Sequence, residues 1–193
     1  MPTSTSPPSR ALETLLKIIA IGAGGLLLLL VIAVTTGVFN RFLPPPPIDP
    51  EVFGLAVGRP APPIEAAAWI NGQPEHTGDK PTVVQAWFYN CPYCWQEAPE
   101  LAALSQEFDD RVSFVALSPD PVSSEKLVQE FVETNNIEYP VGYGARDTLI
   151  GFEIQAFPSV WLIGADGKIL WNRALEREQS LEEAIEAALA RPT

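Results

Sequence analysis

Both cysteines of this 193-residue chain stand in one stretch, Trp87-Phe88-Tyr89-Asn90-Cys91-Pro92-Tyr93-Cys94-Trp95-Gln96-Glu97-Ala98-Pro99. Three chemistries use such a pair: a structural disulfide, part of a metal site, and reversible thiol-disulfide exchange. A disulfide stabilises by closing a loop of the unfolded chain, and the effect shrinks with the loop. With only Pro92 and Tyr93 enclosed, a purely structural clip contributes little. A zinc or copper ion needs three or four ligands. His76 is the sole histidine and precedes the cysteines in a loop rich in Gly and Pro, so no metal is expected. Exchange asks for less: two thiols with Cα atoms about 4.4–6.8 Å apart, a separation that the first turn of a helix gives to positions i and i+3.

The flanking sequence supplies that helix. Thr82 to Tyr89 is a β-branched and aromatic run of strand length, ending at Asn90-Cys91. Pro92 suits a first helical position, and Leu101, Leu104 and Phe108 recur at helical spacing over Cys94 to Phe108. At a helix start, unpaired N–H groups and the macrodipole favour an anion, which makes Cys91 the expected nucleophile. Cys94, one turn further in, is expected to be more buried and to resolve a mixed disulfide on Cys91. Glu97 shares a helix face with Cys94. On spacing alone it is either a surface glutamate or a partly desolvated carboxyl that holds its proton tightly enough to exchange it with the resolving thiol. Pro99 is expected to kink the helix. Trp87 and Trp95 flank the pair as core, substrate wall or both, and Tyr93 is expected to be exposed.

Other elements frame this strand and helix. Ala66 to Ile70 followed by Asn71-Gly72 reads as a strand entering a hairpin turn. Val112 to Leu117 reads as a strand. Ser123 to Thr134 reads as a helix with Leu127, Val128, Phe131 and Val132 on its apolar face. Pro140 to Tyr143 is a candidate short strand and Asp147 to Phe152 a short helix. Ser159 to Ile163 and Lys168 to Asn172 form a second hairpin around Ala165-Asp166-Gly167. A closing helix begins at Ser180, which can form a capping box with Glu183, and buries Leu181, Ile185 and Leu189. Such alternation describes an α/β fold, a mixed sheet covered on both faces.

Ahead of this domain, Ile18 to Phe39 is a run of 22 uncharged, largely apolar residues, and about 20 suffice to span a bilayer as a helix. The run is longer than a signal-peptide core, and Val34-Thr35-Thr36-Gly37 is a poor cleavage site, so an uncleaved anchor is expected. Arg10 and Lys17 precede it, whereas Arg41, Asp49 and Glu51 follow, a bias that keeps the N-terminus inside. The expected layout is a short cytoplasmic N-terminus (1–17), a transmembrane anchor (18–39), a proline-rich spacer (40–57) and one domain (58–193). Pro44 to Pro47 favour a semi-rigid polyproline II stand-off. Beyond residue 43 there are 9 basic against 23 acidic residues, a balance that repels nucleic acid.

The motifs together resemble the thioredoxin superfamily, and within it the membrane-anchored, exported TlpA-like and ResA-like thiol-disulfide oxidoreductases, over about Val57 to Leu189. The features are Gly58-Arg59-Pro60-Ala61-Pro62, Trp87 four before Cys91, Cys-Pro-Tyr-Cys, Glu97 and Pro99. Further on come Ala156-Phe157-Pro158-Ser159 before Val160 to Ile163, then Asp166-Gly167-Lys168. The resemblance implies a thioredoxin-like fold with an N-terminal β-hairpin extension, and Cys91, Cys94 and Glu97 as the catalytic set. It implies a cis Pro158 facing the cysteines, and a substrate chain lying against Trp87, Pro92, Tyr93, Phe157 and Pro158. No cofactor is implied beyond the Cys91–Cys94 disulfide. The implied partners are protein disulfides or thiols and a transmembrane thiol electron donor, and the implied place is the outer side of a bacterial cytoplasmic membrane. The function implied is reduction of exported disulfides, cytochrome c maturation among the tasks. A disulfide-forming oxidase or isomerase and a Cu(I)-binding thioredoxin-fold module are the alternatives.

Three positions depart from the family pattern. Asn90 stands where tryptophan is common, Gln85 replaces the buried acid of cytoplasmic thioredoxins, and Ser159 replaces the usual threonine. The loss at Gln85 shifts the proton-transfer role to Glu97. An oxidase with an inserted helical domain has little room in the 63 residues between Cys94 and Pro158. A peroxiredoxin is disfavoured by Phe88, where that family places a hydroxyl residue.

Overall fold

The computed structural model describes residues 10, 13, 14, 17–19, 21, 25, 54–74, 78–176 and 178–191. The chain divides into two compact units, Met1–Pro47 and Ile48–Thr193. In the first unit the described residues are helical, with the Thr14 hydroxyl donating to the Arg10 carbonyl at 2.8 Å. Most of the expected span over 18–39, the spacer over 40–53 and His76 lie outside the described residues. Among the described residues no helix is long and apolar enough to cross a membrane.

Among the described residues the second unit holds six strands: β1 (Ala68–Ile70), β2 (Thr82–Ala86), β3 (Ser113–Ser118), β4 (Val141–Tyr143), β5 (Ser159–Ile163) and β6 (Ile169–Asn172). Its described α-helices are α1 (Pro92–Glu107), α2 (Glu125–Thr134) and α3 (Arg146–Gly151), which connect strands, and α4 (Leu181–Leu189), which follows β6. The strand order is β1-β4-β3-β2-β5-β6. β2, β3 and β4 run parallel, and the other pairings are antiparallel. This is a mixed sheet, as the alternation of elements predicts, in the thioredoxin-like arrangement that the resemblance implies.

The connections explain the layering. β2-α1-β3 and β3-α2-β4 step in the same direction along the sheet, so right-handed crossovers place both helices on one face. That face is packed by Val83, Trp87, Leu101, Phe114, Phe131, Val160 and Leu162, and α4 adds Leu181 and Ile185. The return from β4 to β5 carries α3 across the opposite face, where Leu149 and Phe152 meet Val84, Val115 and Trp161. Alternation along each strand sorts these sets: Val83 and Gln85 point one way, Val84 and Ala86 the other.

Three expectations need correction. The Asn71-Gly72 turn forms, with positive φ at both residues, but β1 pairs with β4, and among the described residues no N-terminal β-hairpin follows it. The reason lies at the edge: Trp69 is in register with Gly142, and a Cβ there would come within 2.8 Å of the indole. Asn71 Nδ2 also donates to the carbonyls of Ile137 and Tyr139 at 2.8 and 3.2 Å, tying the turn to the chain before β4. Leu127 is exposed, and only Val128, Phe131 and Val132 of its predicted face are buried. The strand predicted to reach Tyr89 ends at Ala86, which frees Trp87 to Asn90 for the approach to the cysteines. The hairpin of β5 and β6 and the Ser180–Glu183 capping box are present as predicted, while Leu189 is only partly buried.

Candidate active site

β2 ends, β5 begins and β6 ends at one edge of the sheet, because Ala86 lies opposite Ser159 and Trp161 opposite Asn172. This register gathers residues far apart in sequence: Cys91 after β2, Pro158 before β5 and Arg173 after β6. It is also the C-terminal end of the parallel strands, where open α/β sheets place their sites.

Cys91 is the N-cap of α1, and its sulfur accepts the backbone N–H of Cys94 at 3.2 Å. Cys91 and Cys94 form a disulfide with Cα atoms 5.3 Å apart. In the reduced protein the same N–H would stabilise a thiolate at Cys91. Both sulfurs lie in buried residues, Cys91 at 3% exposure and Cys94 at none, while Pro92 and Tyr93 beside them are exposed, Tyr93 at 68%. α1 continues through Pro99 to Glu107, with Pro99 exposed.

Glu97 is buried, so the surface alternative is excluded. Its Oε2 accepts Gln85 Nε2 at 3.1 Å, and its Oε1 is ion-paired with Arg173 Nη1. Gln85 reaches it because period-2 alternation turns that residue towards α1. Arg173 is the site residue that sequence reasoning missed. Burial pushes its guanidinium below the usual arginine range, though not far enough to discharge a group of this basicity. The available signal was alternation from buried Trp171, which turns Arg173 to the same face.

The Phe157–Pro158 peptide is cis, and the Phe157 ring meets Phe88 edge to face at 5.1 Å between centroids. That contact joins the loop before β5 to the chain three residues ahead of Cys91. Phe157 and Pro158 are half-buried. Trp87, expected to line a substrate groove, has no exposed surface and stacks on Phe131 at 3.7 Å between centroids. Its role is therefore to support the loop from inside the core. Trp95 is partly buried, and its Nε1 donates to the Tyr89 carbonyl at 2.7 Å. Asp120 accepts the Tyr89 N–H at 2.8 Å and the Ser118 hydroxyl at 2.7 Å, which fixes the approach to Cys91. The Tyr89 hydroxyl donates to Glu130 at 2.9 Å, and this bond holds the phenol above its usual proton affinity. Asn90 is exposed. Among the described residues no three of His, Cys, Asp and Glu gather into a metal-binding group.

Comparison with known proteins agrees with this geometry. The thioredoxin-like protein YneN of Bacillus subtilis (strain 168) is 23% identical over 120 residues, 60% of this chain and 70% of YneN. The thiol-disulfide oxidoreductase YkuV of the same organism is 24% identical over 110 residues, 53% of this chain and 74% of YkuV. Among solved structures, the thioredoxin domain of a thiol-disulfide oxidoreductase from Bacteroides vulgatus superposes with a TM-score of 0.56 at 22% identity. It covers 69% of this chain and 95% of that one. A thiol:disulfide interchange protein from Bacteroides sp. gives 0.56 at 24% identity, covering 68% and 91%. These likenesses show the fold, and the sequence matches the AhpC/TSA family over residues 57–172. The chain belongs to the AhpC/TSA family and is, within it, a thioredoxin-like thiol-disulfide oxidoreductase.

Proposed function

We propose that this thiol-disulfide oxidoreductase is tethered to a bacterial cytoplasmic membrane by Ile18 to Phe39 and reduces disulfides of exported proteins on the outer side, cytochrome c maturation being one task of that class. The observation that carries the chemistry is the Cys91–Cys94 disulfide at the start of α1, one turn above a buried carboxylate. The apolar run before the spacer, 22 residues long, supports the tether.

In the reduced protein Cys91, as thiolate, attacks one sulfur of a substrate disulfide. A Cys91–substrate bond forms, and the other substrate sulfur leaves with the electron pair and takes a proton from water. Cys94 then gives its proton to Glu97 and attacks Cys91. The Cys91–Cys94 bond forms, the second substrate sulfur leaves with the electron pair of the broken mixed disulfide and takes a proton from water, and the substrate has gained two electrons that the cysteine pair has lost. A thiol donor regenerates the dithiol by the reverse exchange.

The direction of net flow follows from the potential. The segment between Cys94 and Pro158 holds β3, α2, β4 and α3 and no inserted helical domain, which supports a reductase over an oxidase of that build. The test uses the full chain with Cys94→Ala, incubated with an extract of exported proteins, beside a glutathione titration of the unaltered protein. Mixed disulfides on Cys91 and a midpoint near the about −270 mV of thioredoxin are expected. A midpoint near about −120 mV would reverse the direction. Absence of both a trapped partner and a reversible titration would remove the redox reading altogether, and Cu(I) retention without exchange would replace it with metal binding.

A further inference from the structure

We infer that Arg173 is a positioning residue for the exchange reaction, holding Glu97 ionised and ready to take the proton of the Cys94 thiol. The inference rests on the proposed roles of Cys94 and Glu97 and goes beyond them, because it names what sets the proton affinity of the buried carboxyl.

The argument starts from donors and acceptors. Burial disfavours a charged carboxylate, and an adjacent guanidinium favours it. Arg173 can only donate, whatever the state of Glu97. Gln85 differs: its Nε2 now donates to Glu97, and its Oε1 is buried with no hydrogen-bond partner. Turning that amide end for end would present Oε1 to a protonated Glu97 and let it accept the new O–H. Gln85 therefore accommodates both states of the carboxyl, while Arg173 favours one. The preference for the ionised state is assigned to the guanidinium alone.

The surroundings leave few competitors. On its own helix Cys94 lies three residues before Glu97, on the same face, and the end of β6 brings Arg173 to it. The neighbours of Gln85 across the sheet on that face, Ala116 of β3 and Val160 of β5, carry no charge. The core-facing residues of α4 are Leu181, Ala184 and Ile185. Arg173 is itself anchored, its N–H donating to the Val160 carbonyl at 3.1 Å, two residues beyond Pro158. Its side chain is 34% exposed against 7% for Glu97, so it stands between the carboxylate and solvent.

The test compares the full-length protein with Arg173→Gln and Arg173→Lys. The Glu97 carboxyl carbon is followed by NMR against pH in the oxidised state, its signal assigned by its loss in Glu97→Gln. Arg173→Gln is expected to raise the Glu97 midpoint by at least about one pH unit, and Arg173→Lys, which keeps a charge, to return it towards the parent value. The second readout is release of glutathione from a Cys91–glutathione mixed disulfide by Cys94, whose pH profile should move by the same amount in Arg173→Gln. An unmoved midpoint, a lysine variant no better than glutamine, or a shifted midpoint with an unmoved release profile would each overturn the inference. Failure of the parent protein to release glutathione at any pH would instead count against the catalytic roles of Cys94 and Glu97, and the inference would fall with them.

Discussion

The core layer beneath α1 and α2 has two ends, and each buries a polar side chain of a different kind. At the C-terminal ends of the parallel strands, Glu97 accepts from Gln85 at one carboxylate oxygen and is ion-paired with Arg173 at the other. At the N-terminal ends, Tyr139 packs on Phe114 with ring centroids 5.9 Å apart, and its hydroxyl is buried without a partner. A charge left alone in such a place would be costly, whereas a lone neutral hydroxyl costs on the order of 1–3 kcal/mol and can be tolerated. The contrast separates a polar group built into a site from one that accompanies a useful aromatic ring.

Substitutions at the two ends should therefore differ in kind. The largest effect belongs to Cys91→Ala, which removes the attacking sulfur and should abolish disulfide exchange while leaving far-UV circular dichroism unchanged. Residual exchange through Cys94 alone would contradict the assignment of roles. Glu97→Gln should slow glutathione release from Cys91 by on the order of a hundredfold at neutral pH, the size of a lost general base. A stability loss with unchanged release would make the carboxylate structural. At the other end, Tyr139→Phe should leave exchange untouched and raise stability by about 1 kcal/mol in urea, since it deletes an unpartnered buried hydroxyl.

The same tyrosine gives a pH prediction. Desolvation raises the Tyr139 phenol well above its ordinary value of 10.0. The folded state thus keeps its proton where the unfolded state has lost it. Stability associated with this group is full below about pH 10 and declines as pH rises past the unfolded value. Tyr139→Phe should lessen that alkaline decline, and a decline of unchanged depth would assign it to other groups. Ser180→Ala should cost a similar amount, about 1 kcal/mol, by removing the α4 cap, with no change in exchange.

The fold and the site were legible to different depths, for physical reasons. Local signals read well. Pro92 at a helix start, Asp166-Gly167 in the β5–β6 turn and Ser180 with Glu183 each act within a few residues, and the elements they mark are present. Pairing between distant segments read poorly. Asn71-Gly72 is a turn, but nothing local records that Trp69 covers Gly142, 73 positions on. Leu127 fits a helical apolar stripe, yet the sheet face beneath α2 is filled by Val128, Phe131 and Val132.

The site divides along the same line. Cys91, Cys94 and Glu97 share one helix, so their spacing places them together. Arg173 meets Glu97 only through the order and register of β2, β5 and β6, which no spacing encodes. Trp87 adjoins the cysteines in sequence, but its side chain turns inward to Phe131.

The central claim is that the two cysteines play unequal parts, Cys91 attacking and Cys94 resolving. Its most direct test is site-resolved alkylation of the fully reduced chain with iodoacetamide between pH 5 and 9, read by peptide mass spectrometry. Cys91 should react at least about tenfold faster than Cys94 and retain its reactivity below the ordinary thiol range near pH 8.5. Equal rates, or a faster Cys94, would contradict the account.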